Sequence, residues 1–457
     1  MHILTYTLSF IIWIMVQSFV YAQTIQDIPD SLSLSDAIQI GLENNFDIRI
    51  STLDAEIAQN NNTWGAAGRY PTIAFSLSQG NSFRDVDNPA SFLQGLSISN
   101  DIAPSVSLNW TLFNAFSVRI TRQQLQLLEE QSLGNAQIVV ENTIQAIILA
   151  YYTAVLENER LDVLQKIMTL SRDRFRYLQI KGDLGSAVTF DILQEKNNYL
   201  TDSTNYVTQE INYLNARRNL NLLMGVDVAD EYNLTDGLDV TPANYALDDL
   251  YEKMVANNTN LRTQYLNQEI FRQDVRLAKT ELYPRLDLGM GASYSISRQD
   301  LTNADLGGRE LDNLITKPKT LNYFANFTLS YTLFDGGRIK RTIQNAYTNE
   351  KIAQVQVDQI RLSLKNDLVS VYDLYNARKK LLNITELNLE TGDLNLELAT
   401  ERFKNGTINS FDFRTIQVSY LNIALNNVQA KYNLIDSETE LMRLTGGIIE
   451  AYDNSSE

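Results

Sequence analysis

The chain is 457 residues long with a formal net charge of −17, no cysteine, and a single histidine, His2. Without cysteine there are no disulfides, no thiolate chemistry and no lipid-modified N-terminal Cys. An acidic chain repels phosphates, so no nucleic acid is expected as a partner.

Met1 to Ala22 holds no Asp, Glu, Lys or Arg and is apolar at its centre. Val20-Tyr21-Ala22 before Gln23 is a small-x-small cleavage site. The segment 1–22 reads as a secretory signal peptide that lacks the usual basic start, with an uncleaved membrane helix as the alternative. No other segment reaches the roughly 18 uninterrupted apolar residues of a membrane-spanning helix. With the leader removed, neither His nor Cys remains. The commonest general base, metal ligand and thiol nucleophile are then all missing. No nucleophile elbow, P-loop or dinucleotide glycine motif is present. The expectation is a non-enzyme with no cofactor and no metal.

Ser33-Leu34-Ser35-Asp36 has the residues of a helix start, and a helical segment is predicted from there to about Arg69, stopping at Tyr70-Pro71. Ile73, Phe75 and Leu77 then alternate with Ala74, Ser76 and Ser78, which predicts a strand. The stretch Gly80–Pro104 reads as a polar loop, after which Val106, Leu108, Trp110 and Leu112 alternate with small or polar residues. A long helix is predicted from Ser117 to about Ile180. A glycine turn at Gly182 and Gly185 follows, then a returning helix from about Thr189 to Leu223.

The pattern then recurs. Asn44-Asn45, Ile48-Arg49 and Tyr70-Pro71 return as Asn257-Asn258, Leu261-Arg262 and Tyr283-Pro284 at an offset of 213. Thr111-Leu112-Phe113, Gly185 and Phe190-Asp191 return as Thr332-Leu333-Phe334, Gly406 and Phe411-Asp412 at 221. Two copies of one unit follow: 23–225 and 247–457, the latter with a short C-terminal tail, joined by a linker over 226–246. The eight additional residues of the second copy are expected in its hairpin loop, between about Ile296 and Thr320. The second copy supplies two more strands, one through Leu286, Leu288 and Met290 and one from Tyr323 to Leu333.

Taken alone, such strands suit a soluble sandwich. Here, however, each pair is flanked by very long helices, and its polar face is Ser, Asn, Thr and Gly, which suits a wetted barrel lumen. Four strands cannot close a barrel, so the chain must oligomerise. Two copies would give an eight-stranded, side-chain-filled barrel, and three would leave room for water. The residues predict a mixed α and β membrane protein, with long α-helices compatible with coiled-coil packing joined to a transmembrane β-barrel that oligomerisation closes.

The sequence resembles the outer-membrane efflux protein (TolC-like) family from Leu34 to Gly446. The resemblance is carried by Leu34-x-x-Ala37-Ile38 with Asn44-Asn45, by the two Tyr-Pro pairs, and by Thr332-Leu333-Phe334-Asp335-Gly336-Gly337-Arg338. Arg402-Phe403-x-x-Gly406 with Phe411-Asp412 completes it. One departure is Asn114-Ala115-Phe116 in place of Asp-Gly-Gly. The resemblance implies a homotrimer in the outer membrane of a Gram-negative bacterium, with a periplasmic helical tunnel. It also implies a periplasmic adaptor (membrane fusion) protein and an inner-membrane transporter as partners, and small toxic molecules or secreted proteins as cargo.

Gly185, Ser186, Gly406 and Thr407 occupy the two inter-helix turns, which the resemblance makes the adaptor-docking surface; glycine is also simply the residue that tolerates such turns. Asp191 and Asp412 lie just beyond, with Thr189 and Ser410 as candidate N-caps. As helix-end acids they complement the dipole. By resemblance they form rings at the periplasmic constriction, with Arg174, Arg402 and Arg414 as candidate gate partners. The alternative from another class is a secreted helical scaffold or binding protein whose hairpins are docking edges.

Overall fold

The computed structural model describes residues 29–453 apart from 89, 240 and 308–313. The leader predicted over 1–22 lies outside the described residues. Helices α1 (Leu34–Asn44) and α2 (Phe46–Asn61) precede strands β2 (Thr72–Val86) and β3 (Leu93–Phe113), and helices α3 (Ser117–Asp183) and α4 (Thr189–Met224) follow. The second half repeats this order with α5 (Leu247–Asn257), α6 (Thr259–Thr280), β5 (Arg285–Leu306) and β7 (Lys319–Ser330), then α7 (Arg338–Lys404) and α8 (Ser410–Leu444). Short elements β1 (Ser31–Leu32), β4 (Asn233–Leu234), β6 (Ile315–Thr316) and α9 (Ile448–Asp453) complete the chain.

Three local expectations are corrected. The helix predicted to run to Arg69 breaks at Asn45, whose Oδ1 accepts from Asp47 N (2.9 Å) and Ile48 N (3.2 Å), starting a new helix that ends at Asn61. The Gly80–Pro104 loop is mostly strand: β2 and β3 pair without interruption from Thr72↔Asn109 to Val86↔Gly95. A ladder needs only backbone partners, so it continues past the apolar band that marks a strand in sequence. Finally, β7 ends at Ser330, so Tyr331 and Leu333 lie beyond it.

The long strands form one antiparallel sheet in the order β2-β3-β5-β7. Paired residues share a face, so the register makes rows. Ile73, Leu108, Met290 and Ala325 form one, and Phe75, Val106, Ala292 and Tyr323 the next. The opposite face carries Ser107, Gly291 and Phe324 in one row and Asn109, Gly289 and Asn326 in the next. One face is therefore apolar and the other largely polar, and the outer edges of β2 and β7 are unpaired among the described residues. Both hairpins keep one register under the offsets 213 and 221, since Thr72↔Asn109 corresponds to Arg285↔Ser330 and Val86↔Gly95 to Gln299↔Thr316. The eight additional residues thus fall between Asp300 and Ile315, at the hairpin tip, part of which (308–313) lies outside the described residues.

Helices α3 and α7 are 67 residues each. At 1.5 Å per residue each spans about 100 Å. Helix α3 pairs with α4 and α7 with α8, while α6 packs between α3 and α7. Midway along α3 a core gathers Ile147, Ile148, Tyr151, Leu32, Met224 and Ile448. The most apolar stretch of α3 is half buried inside the protein.

Candidate functional site at the helix tips

Each long hairpin turns on one glycine. Gly185 (φ 73°) and Gly406 (φ 70°) adopt the left-handed conformation that a Cβ penalises. Ser186 N donates to Lys181 O (2.7 Å) and Thr407 N to Arg402 O (2.9 Å), which closes both helix ends. Gly185, Ser186, Gly406 and Thr407 are all exposed. The apolar side chains around them are exposed too, with Leu184 75%, Phe190 70% and Phe411 79% accessible.

The returning helices are not capped by Thr189 or Ser410. Val188 is the N-cap of α4, with no side-chain hydrogen bond, and Asn409 is that of α8, its side chain accepting from Asp412 N at 2.8 Å. Each cap sits one residue earlier than expected, because the residue with extended backbone geometry sets the helix start. Asp191 and Asp412 therefore both occupy the third helical position; Asp412 is exposed and Asp191 half-buried.

The predicted arginines do not meet these aspartates within one chain. Arg174 is buried, at 5% exposure, and pairs with the fully buried Glu195 of α4. Its guanidinium also lies 4.0 Å from the Phe413 ring centroid and 4.7 Å from that of Phe403. Burial lowers Arg174 to about 10, still well above neutrality, and burial raises the Glu195 carboxyl against the attraction of Arg174. Arg414 grips Asp202 with Nη1 at 2.6 Å and Nη2 at 2.8 Å. Ser171 Oγ donates to the same carboxylate (2.5 Å), and Gln417 Nε2 donates to Ser171 Oγ (2.8 Å). Arg402 is exposed in the last turn of α7.

Sequence reasoning missed Glu195, Asp202 and Gln417. One signal was available, since Glu195, Asp202 and Gln209 recur every seven residues along α4 and all three are buried. That spacing puts all three on one face of α4, and it is their burial that distinguishes this face from a solvated one. The resulting network ties α3, α4 and α8 together at the tips.

A sheet that is apolar on one side and open at both edges, joined to helices of about 100 Å, defines a strand-anchored, long-helix membrane protein. The sequence matches the outer membrane efflux protein family over residues 37–226 and 250–447, and the chain belongs to that family. Membership places the strands in the outer membrane and the long helices in the periplasm. Outer membrane protein TolC of Escherichia coli (strain K12) is 24% identical over 198 residues, which cover 43% of this chain and 37% of TolC. The chain thus spans well under half the length of that curated relative. Among solved structures, the outer-membrane channel OprN superposes with a TM-score of 0.70 at 15% identity, over 91% of this chain and 90% of that one. The Campylobacter jejuni outer membrane channel CmeC gives 0.67 at 17% identity, over 93% and 89%.

Proposed function

We propose that this chain forms, as a homotrimer, the passive exit duct of a tripartite efflux or type I secretion system. The observation that carries this reading is a pattern of matched surfaces. Inside one chain α6 packs on α3 through Thr259–Glu141 (2.5 Å) and through Thr263, whose Oγ1 would lie 2.7 Å from a Cβ at Gly134. Under the offsets 213 and 221 these pairs become Phe46–Leu362 and Ile50–Val355. Those four side chains are 60%, 69%, 58% and 65% exposed. A ring of identical chains repeating the α3–α6 contact as an α7–α2 contact between neighbours would cover all four. It would also join the open edge of β7 to that of β2, as lipid requires. Three copies give twelve strands and a water-filled lumen.

In this reading 23–225 and 247–457 are two copies of one unit joined by 226–246. The apolar face of the sheet meets lipid, which the alternative of a secreted scaffold would leave in water. The tips around Gly185 and Gly406, with exposed Leu184, Phe190 and Phe411, dock a periplasmic adaptor fed by an inner-membrane transporter. Asp191 and Asp412 ring the entrance, and the duct itself performs no catalysis.

Since the chain has no cysteine, an Ile50→Cys/Val355→Cys variant gives a clean test. Oxidation should yield a covalent trimer that runs as the monomer after reduction; a product that stops at the dimer, or none, refutes the three-fold ring. In planar bilayers the trimer should conduct. Asp191→Asn/Asp412→Asn should lower cation preference with insertion unchanged, and unaltered selectivity would remove these acids from the constriction.

A further inference from the structure

Where β3 passes into α3, Ala115 (φ 53°) and Phe116 (φ 65°) hold left-handed backbone, the only described non-glycine residues with positive φ. A bulky residue in that conformation is a true outlier, and its surroundings ask what the strain maintains. Phe116 is 71% exposed, and its ring meets Phe113 edge-on at 6.0 Å. Beside it opens a recess of about 360 Å³ whose walls include Trp64, Arg69, Trp110, Phe113, Phe116 and Arg119. Trp110 shares a row with Leu288 and Phe327, so the recess opens on the apolar face of the sheet, at the end from which the helices leave. Trp110 Nε1 donates to Arg69 O (2.9 Å), which fixes the rim.

The charge is as unusual as the backbone. Arg69 lies 4.8 Å and Arg122 5.9 Å from the Trp64 ring centroid. Arg122 Nη1 is buried without a hydrogen-bond partner. Among the described residues, none of Arg69, Arg119 and Arg122 makes an ion pair, in a chain of net charge −17. At the corresponding positions of the second half stand Leu277, Leu282, Gly337, Lys340 and Ile343, so the cluster is not required by the shared architecture.

We infer that this recess binds the phosphate group of an anionic phospholipid in the periplasmic leaflet. A guanidinium fork fits phosphate oxygens, indole and phenyl rings sit at headgroup depth, and the adjoining apolar wall accepts the first acyl carbons. Strain at Phe116 holds one of those rings at the rim, where glycine in the other half offers none. The site rests on the outer-membrane placement of the strands.

The test is native mass spectrometry of the full-length protein in detergent, with phosphatidylglycerol and phosphatidylcholine of identical chains supplied in equal amounts. The wild type should retain phosphatidylglycerol in preference. Arg69→Gln and Arg119→Gln, the two arginines that line the recess, should each reduce that preference, by about fivefold per arginine, and Lys340→Gln should leave it unchanged. Equal retention of the two lipids by the wild type, or single variants with undiminished preference, would overturn the proposal. Inorganic phosphate that raises the melting temperature as much as phosphatidylglycerol would reassign the site to a free anion and defeat the lipid reading. Wild-type protein recovered without detergent from the periplasmic fraction would defeat the membrane placement itself, whereas inserted protein without lipid preference would defeat this site alone.

Discussion

The two helical hairpins have nearly identical lengths and opposite cores. Near the tip of the first, Ser171, Arg174, Glu195 and Asp202 face inward; at an offset of 221 the second carries Gly392, Asn395, Ile416 and Ile423. In the second, a Cβ at Gly392 would lie 3.3 Å from Ile423 Cδ1, and the helices close on Leu396, Ala399, Phe413 and Tyr420. One backbone thus tolerates either an ionic or an apolar filling. The ionic filling costs desolvation, yet it does what the apolar one cannot. Asp202 of α4 reaches Arg414 of α8, so charge joins one hairpin to the other in a single register.

Breaking the ionic core should give the largest effect. Arg174→Ala leaves Glu195 buried and unpaired, a defect worth about 3–5 kcal/mol; thermal or denaturant unfolding of the purified protein would measure it. Asn395→Ala, at the corresponding place in the other hairpin, should stay within about 0.5 kcal/mol. Arg174→Leu with Glu195→Leu should recover most of the loss, because a well-packed apolar pair replaces a buried ion pair at little cost. The pH dependence has a definite sign. Glu195 is already raised above its ordinary value, and removing Arg174 raises it further. A carboxyl raised in the folded state binds its proton more tightly there, so acidification favours folding. The gap between variant and wild type should therefore be widest at neutral pH and narrow as pH falls toward the ordinary carboxylate range. A gap that widens on acidification would show that Glu195 is not the group left unpaired.

This comparison also marks where sequence reading stops. Period two placed Ile73, Leu108, Met290 and Ala325 on one face but missed the bulge that sets Phe113 rather than Leu112 opposite Leu286. The jump between offsets located the insertion, since alternation and offset both depend on neighbours along the chain or across one hairpin. Gly185 and Gly406 were legible because a left-handed turn restricts residue type locally. The partners of Arg174 and Arg414 were not. Asp191 lies near Arg174 in sequence, but Glu195, one helical turn further on, faces inward, and Asp202 meets Arg414 only because α4 and α8 converge. The caps at Val188 and Asn409 were missed by one residue for a different reason: Val188 has no side-chain signal at all.

The strand-to-helix junctions give the second contrast. In the second half Asp335 accepts from Gly337 N (2.9 Å), Arg338 N (3.0 Å) and Ile339 N (2.8 Å), and these donors, Ile339 foremost, hold its carboxyl below the usual range. Gly336 and Gly337 supply the left-handed residues at φ 66° and 79°. In the first half Asn114, Ala115 and Phe116 trace the same path, and no side chain caps α3. Gly337→Ala should therefore destabilise by about 1–2 kcal/mol, the cost of a Cβ in left-handed backbone. A cost near zero would mean that this junction relaxes freely and that Phe116 is not strained either.

The reverse substitution, Ala115→Gly, has the smallest effect because two terms oppose each other. Removing the Cβ relieves about 1–2 kcal/mol of strain. The added glycine makes the unfolded chain freer, at a cost of roughly 0.5–1 kcal/mol. The net should be a gain of about 0.5 kcal/mol, read as a small rise in melting temperature. Because Ala115 contributes no ring to the neighbouring recess, this variant separates backbone strain from the aromatic rim. Phe116→Gly should gain similarly from its backbone while losing the contact with Phe113. If Phe116→Gly proves the less stable of the two, the Phe113–Phe116 pair contributes more than the strain it imposes; if it is the more stable, stability does not explain phenylalanine there, and its ring serves the recess.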